Sequence, residues 1–376
     1  MSIFHYLFSF FFVINIIVFV HEYGHFLAAK RVGVKVLKFS IGIGPEICGI
    51  NDKHGTRWCF SLFPIGGYVM MQGDGDIASA TEDEESLKDM TAEDSNQSII
   101  TKSNWEKMLV AFCGPFFNYI YAFVVVAGLA FFYGAPVYDT TIANVLTGSP
   151  AEKAGLLVGD KIIAVAGQKV DKYSEVIRRI KEEAGKIDFL IERNGIQEKI
   201  SISPEIKETK MLLGGVKKNK IVGIHSGSPV FVKKSLRDSI KFAVLECVNA
   251  TKEMCMIFAR LFAGKKSLDE FGGVVRMAEV AGNLSQSGSF ALLIMFTVTL
   301  SLNLGFINLF PLPILDGGKI LISFVEQITG KKLNKALQEY VMMACAALLI
   351  FLMLVMTVND VLRLEVVNRF VSNIIG

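Results

Sequence analysis

His21-Glu22-Tyr23-Gly24-His25 sets two imidazoles four residues apart around a carboxylate. On a helix, residues at that spacing lie about one turn, roughly 6 Å, from each other on one face. Both rings can then reach one Zn2+, with Glu22 directed at a water on the ion. The residue types are those the chemistry needs. Neutral imidazole ligates zinc, the cation lowers the pKa of its water to about 7, and a carboxylate takes that proton and passes it to a leaving amine. The chain has five histidines, so two of them at this spacing around a glutamate is seldom an accident. The competing reading makes all three polar residues at the end of an apolar helix. Against it, an unpaired charge at membrane depth costs several kcal/mol, and such groups as a rule serve function.

A catalytic zinc needs a third protein ligand and one open position. The candidate is Asp316, near the inner end of another apolar span, in Asn308-Leu309-Phe310-Pro311-Leu312-Pro313-Ile314-Leu315-Asp316-Gly317-Gly318. Asp-Gly-Gly alone reads as a turn, but its expected depth matches that of the histidines, which favours a ligand. Asn303 and Asn308 lie on the same span. An Asn in a membrane helix often only bonds to a neighbouring helix, and that alternative stays open for both, less so for Asn308 beside the helix-breaking Pro311. Gly114-Pro115 and Asn118 read as close helix packing and a kink, not as chemistry. His5, His54 and His225 lack ligand spacing. Six cysteines without a C-x-x-C pair read as small buried hydrophobes.

These side chains have to be held in lipid. Of the 376 residues 52% are hydrophobic, with a mean hydropathy of +0.45, which counts against a soluble domain. Only 20% are charged and the net charge is +3, so there is no basic field for nucleic acid. Four stretches, 3–20, 108–133, 290–310 and 340–358, are long and apolar enough for a hydrocarbon core of roughly 30 Å. The first has no basic leader and no cleavage site, so it is expected to remain as a span. Lys30, Arg31, Lys35 and Lys38 follow it, and Lys319, Lys331, Lys332 and Lys335 stand between spans three and four. The positive-inside rule then puts both chain ends outside the cytoplasm.

Between the spans, 34–71 alternates strand-like runs with Gly and Pro, predicting a β-hairpin or small sheet at the membrane. The stretch 74–104 is acidic and reads as a linker. A small α/β module follows, with strands at 161–165, 188–193 and 198–203, a helix at 173–183, and a hairpin turn at Asn194-Gly195. Apolar residues at helical spacing over 233–262 predict an amphipathic helix near the membrane surface.

HEYGH, PIGGYV (64–69), GPFFN (114–118), the GSPAEKAGLLVGDKI segment (148–162) and NLFPLPILDGG (308–318) together resemble the site-2 proteases. The nearest pattern is that of the bacterial regulator-of-sigma-E proteases. The match runs in order over nearly the whole chain. The resemblance implies a mainly α membrane protein with four transmembrane helices, a membrane-associated β-hairpin or sheet, and one inserted α/β PDZ-like domain. It implies an intramembrane zinc metalloprotease of the bacterial inner membrane. Its expected substrates are single-pass transmembrane proteins, such as anti-sigma-factor-like proteins or remnant signal peptides. His21, His25 and Asp316 would bind Zn2+, Glu22 would be the catalytic base, and Asn303 and Asn308 would hold the substrate backbone.

The expected division is the first span with H-E-x-x-H (1–32), the β region (33–73), an acidic cytoplasmic linker (74–106), and the second span (107–134). The PDZ-like domain on the exterior side (135–207) and an amphipathic helix with its connector (208–289) come next. The third span with the L-D-G motif (290–318), a cytoplasmic loop (319–339), and the fourth span with its tail (340–376) complete it. The partners implied are the substrate and the lipid bilayer, with no nucleic acid. Two departures stand out: there is room for one PDZ module where the enterobacterial pattern has two, and Gly272-Gly273-Val274 stands where Gly-Pro is usual. A metal transporter and an inactive PDZ-bearing adaptor remain as competing functions.

Overall fold

The computed structural model describes residues 3–74, 91–183, 185–210, 216–227, 230–263, 273–286 and 290–363. Contacts divide the chain into two units, Met1–Val126 with Ala243–Gly376, and Ala127–Phe242. The chain order begins α1 (Ile3–Arg31), β1 (Val36–Asn51), β2 (Arg57–Met71), α2 (Ala92–Asn96) and α3 (Asn104–Phe132). The second unit carries β3 (Ala135–Val137), β4 (Ile142–Val145), α4 (Pro150–Lys153), β5 (Lys161–Val165), β6 (Gln168–Lys169), α5 (Tyr173–Glu182), β7 (Ile187–Arg193) and β8 (Ile196–Ile202), then β9 (Glu205–Lys210), β10 (Val216–Ile221), β11 (Ile224–Ser226) and β12 (Val230–Val232). The remaining helices are α6 (Leu236–Phe262), α7 (Val274–Gln286), α8 (Phe290–Asn308), α9 (Asp316–Thr329) and α10 (Lys335–Arg363). Among the described residues, four helices are long and apolar enough to cross a membrane: His5–Arg31, Asn104–Phe132, Phe290–Asn308 and Ala336–Val358.

In the first unit the end of α1 is fixed to the β region by a buried cluster of Phe26, Ala29, Val34, Val36, Phe39, Ile99, Ile100 and Val110. Trp58 stacks on Phe39 with ring centroids 4.4 Å apart. β1 and β2 form one sheet in which both strands bend sharply, and Gly42, Gly44 and Gly66 take positive φ at the bends. The run 57–60 therefore lies beside 38–41 and also beside 48–51, while 67–71 pairs with 36–41. Among the described residues no second strand pairs with 67–71. Ile47, Ile50, Phe60 and Phe63 stand more than half exposed, an apolar surface of the kind expected to meet lipid. The predicted β region is thus present. Most of the expected acidic linker lies outside the described residues, and α2 occupies part of its end.

Two expectations change here. The third span stops at Asn308, because Pro311 and Pro313 cannot continue the helix. Most of the segment expected as a loop, 319–339, is instead α9, which begins at Asp316 and ends on left-handed Gly330 (φ 65°). Of the cysteines, Cys59 is buried but Cys48 and Cys255 are exposed, and none is in a disulfide.

The second unit has a sheet ordered β6-β5-β7-β8. β7 and β8 are joined at Asn194 (φ 52°) and Gly195 (φ 80°), the two left-handed residues a tight hairpin turn requires. Val176 and Ile180, one turn apart on α5, are buried with Ile162, Phe189, Ile191 and Ile202. Val222 and Ile224 complete that core, β11 pairs with β4, and β12 pairs with β3. The unit thus extends past 207, where the sequence ended it. Strands of three or four residues carry too little alternation to announce themselves.

Candidate metal centre

Two helices of the first unit bring His21, His25 and Asp316 together. α1 supplies both imidazoles from successive turns, and Asp316 is the first residue of α9. The chain reaches Asp316 through a tight loop. Leu312 N–H donates to Phe310 O and Leu315 N–H to Leu312 O. A Cβ on Gly317 would fall 2.3 Å from Leu309 O, and one on Gly318 2.2 Å from Leu312 O. Both glycines of L-D-G-G are therefore required by backbone packing.

His21 Nε2 lies 3.2 Å from His25 Nε2. Asp316 Oδ2 lies 3.1 Å from His21 Nε2 and 3.3 Å from His25 Nε2. All three residues are buried. This triangle tests whether the residues fit a zinc ion. Tetrahedral bonds of about 2.0–2.1 Å set neighbouring ligand atoms about 3.3 Å apart, and the three separations match. Among the described residues this is the one group of His, Cys, Asp or Glu placed to hold a metal. Burial pushes the Asp316 carboxyl up, but the adjacent His25 and His21 rings more than offset it. The net effect holds the carboxyl below its usual range.

The other side of each ring is also held. His25 Nδ1–H donates to the Val110 carbonyl at 2.8 Å. A carbonyl only accepts, so this bond fixes the proton on Nδ1 and leaves the Nε2 lone pair for a metal. α3 comes close enough because Gly24 and Gly114 lack side chains. A Cβ on Gly24 would meet Cys113 O at 2.3 Å, and one on Gly114 would meet His25 Nε2 at 2.2 Å. Asn118 Nδ2 lies 3.1 Å from His21 Nδ1. The sequence assigned Gly114 and Asn118 to close helix packing; Gly114 serves that role against the His25 ring, and Asn118 in addition reaches the His21 ring. The signal available was that G-x-x-x-N repeats the spacing of H-x-x-x-H.

Glu22 is half-buried on α1 beside the β region. A Cβ on Gly67 would lie 3.4 Å from Glu22 Cγ and 2.9 Å from Val18 Cγ1. The 67–71 run thus passes directly against the proposed base. Asn308 Nδ2 is 3.4 Å from His21 Nε2, which places Asn308 at the cluster. Asn303 is half-buried, and no contact joins it to the cluster. Five helical residues turn through about 140°, so Asn303 and Asn308 cannot face the same way.

A sequence profile of peptidase family M50 matches residues 9–352. A protein of Mesorhizobium japonicum is 33% identical over 335 residues, covering 88% of this chain and 91% of its own. One from Brucella suis is 35% identical over 336 residues, 88% of each chain. One from Rickettsia conorii is 33% identical over 373 residues, covering 95% and 98%. All three relatives are named, provisionally, as zinc metalloproteases.

Proposed function

The chain belongs to peptidase family M50 and is a zinc metalloprotease, and we propose that it hydrolyses peptide bonds within the membrane-spanning segment of single-pass membrane proteins. His21, His25 and Asp316 hold the ion and Glu22 is the base. The observation that carries this reading is the triangle of ligand atoms 3.1–3.3 Å on a side, two of them on a helix long and apolar enough to cross a membrane. Zn2+, when bound, supplies Lewis acidity that polarises the scissile carbonyl and acidifies a water. The Glu22 carboxylate takes a proton from the attacking water and gives it to the departing amine nitrogen, so its protonation state is restored after each turnover.

A helical peptide bond is closed to attack by its own hydrogen bonds, and freeing those groups in lipid costs several kcal/mol each unless the enzyme replaces the partners. The 67–71 run has an edge that no described strand occupies, it lies against Glu22, and it pairs with an unwound substrate by β-augmentation. Asn308 adds a side-chain partner to that strand; Asn303, facing away, serves helix packing instead. The second unit is a PDZ-like domain on the exterior side and limits the size of substrates admitted. The metal site lies toward the cytoplasmic side of a bacterial inner membrane. By its resemblance to the regulator-of-sigma-E proteases, its expected substrates are anti-sigma-factor-like proteins or remnant signal peptides.

Glu22→Gln tests the assignment when expressed beside a panel of single-pass membrane fusions. Zinc content equal to wild type with cleavage abolished is the expected result. Cleavage that persists would remove Glu22 from the chemistry. Metal flux without cleavage would favour a transporter, and partner binding as the sole activity would favour an adaptor.

A further inference from the structure

Asn118 is completely buried on α3, and its Nδ2 lies 3.1 Å from His21 Nδ1. Its Oδ1 is buried and has no partner among the described residues. A buried amide oxygen left unpaired costs about 1–3 kcal/mol, so the group calls for an explanation. In this orientation Nδ2 donates to a bare Nδ1, which puts the imidazole proton of His21 on Nε2. A proton there would face the Asn308 Nδ2 donor 3.4 Å away, and no lone pair would be left for a metal.

Zinc requires the other tautomer. With the ion bound, Nε2 carries the metal, Nδ1 carries the proton, and that proton needs an acceptor. The two ends of an amide are alike in size, so rotation about the terminal bond exchanges them in place. Oδ1 then accepts from Nδ1–H, and Nδ2 takes the place that Oδ1 held. We propose that Asn118 is a positioning residue that selects the zinc-binding tautomer of His21 by accepting its Nδ1 proton through Oδ1. The inference rests on His21 being a zinc ligand. His25 needs no such partner, because its Nδ1 already faces the Val110 carbonyl.

The position of Asn118 is itself braced. Ser301 Oγ donates to the Asn118 carbonyl at 3.2 Å, and a Cβ on Gly305 would fall 3.2 Å from Asn118 Cβ. Close approach of α8 to α3 therefore aims the amide at the ring. A residue that only packed there would not need an acceptor, whereas one that orients the ring does.

The test compares zinc affinity of the full-length protein, by chelator competition in detergent, for wild type, Asn118→Asp and Asn118→Leu. Unfolding of the zinc-free forms is followed in parallel. Asp keeps the acceptor and should hold zinc within about threefold of wild type or more tightly, while Leu removes it and should weaken binding about 10- to 100-fold. Asn118→Ala, which cannot clash, takes the place of Leu if that variant does not fold. Two results would overturn the proposal: Leu or Ala binding zinc within about twofold of wild type, or Asp binding as weakly as Leu, which is what loss of packing alone gives. Wild-type protein that retains no zinc would instead overturn the functional reading on which the proposal rests.

Discussion

Gly114→Ala places one methyl group 2.2 Å from His25 Nε2, 2.5 Å from Cε1 and 2.9 Å from Cδ2. Ordinary heavy-atom contacts are about 3.5–4.0 Å, so the ring must withdraw by more than about 1 Å. In the metal-free protein it can do so by swinging off its Val110 bond, but with zinc bound it cannot. The overpacking strain, about 1–3 kcal/mol, therefore falls on the loaded state alone. At about 1.4 kcal/mol per factor of ten, that is a loss of about 5- to 150-fold in zinc affinity. Cleavage at saturating zinc should also fall about 100-fold, since a 1 Å error in the geometry has that effect. Gly128→Ala on the same helix is the matched control, because nothing lies within 4 Å of its added methyl group. It should bind zinc as wild type does and be up to about 1 kcal/mol more stable from helix propensity. Chelator competition and cleavage of a fusion substrate read both variants. Zinc affinity of Gly114→Ala within about twofold of the Gly128→Ala control would refute the claim that α3 shapes the site.

In the second unit, Arg193 donates to both Asp160 oxygens at 2.7 Å and Leu157 N–H to one at 2.8 Å. These bonds hold the carboxyl below its ordinary value against the push of burial. Their contribution is complete above the unfolded value of about 3.9 and is lost as pH falls through the lower folded one. Hydrogen-exchange protection over β5 and β7, taken relative to the intrinsic rate at each pH, should therefore be flat from pH 7 to about 4 and fall below it, and Asp160→Ala should cost about 2 kcal/mol at neutral pH. Because β3 and β12 pair antiparallel, a short Gly/Ser bridge can replace 138–229. That deletion should keep zinc and cutting of a shortened substrate while newly admitting the full-length one; loss of the short-substrate activity in a folded, zinc-loaded protein would make the unit a recruiter. Replacing helix-destabilising residues in a substrate span by Leu should slow cleavage, and equal rates would count against unwinding as a step.

The apolar spans and the β5-to-β8 part of the second unit were legible because their signals are local. Asn194-Gly195 specifies a hairpin wherever it stands between alternating strands, and twenty apolar residues specify a span. The pairings of β11 with β4 and β12 with β3 were not, since each joins short strands roughly eighty to ninety residues apart in sequence. α9 was hidden for a different reason. The lysines of 319–339, of which only Lys319 lies in α9, read as a loop, although the same prolines that ended α8 left room for a new helix starting at Asp316. Gly273 gains a local account as well: a Cβ there would fall 2.8 Å from Asp360 Oδ2, the atom that accepts from Arg276 N–H at the start of α7.

The site divides along the same line. His21, Glu22 and His25 announce themselves because one helix turn fixes their relation, and Asp316 follows once a third ligand is required. Gly114 and Asn118 depend on a crossing of two helices that no single segment encodes. His25 meets Val110 and Gly114, while His21 meets Asn118, so the chain runs upward on α1 as it runs downward on α3. Two motifs of spacing four, laid antiparallel with Gly24 and Gly114 at the closest approach, then bring one ring to a void and the other to an amide. The equal spacing was visible in the sequence from the start, but its meaning depends on the direction of packing. An inversion of the Asn118 and Gly114 positions would therefore preserve composition, hydropathy and spacing, and still remove both the void for His25 and the partner for His21.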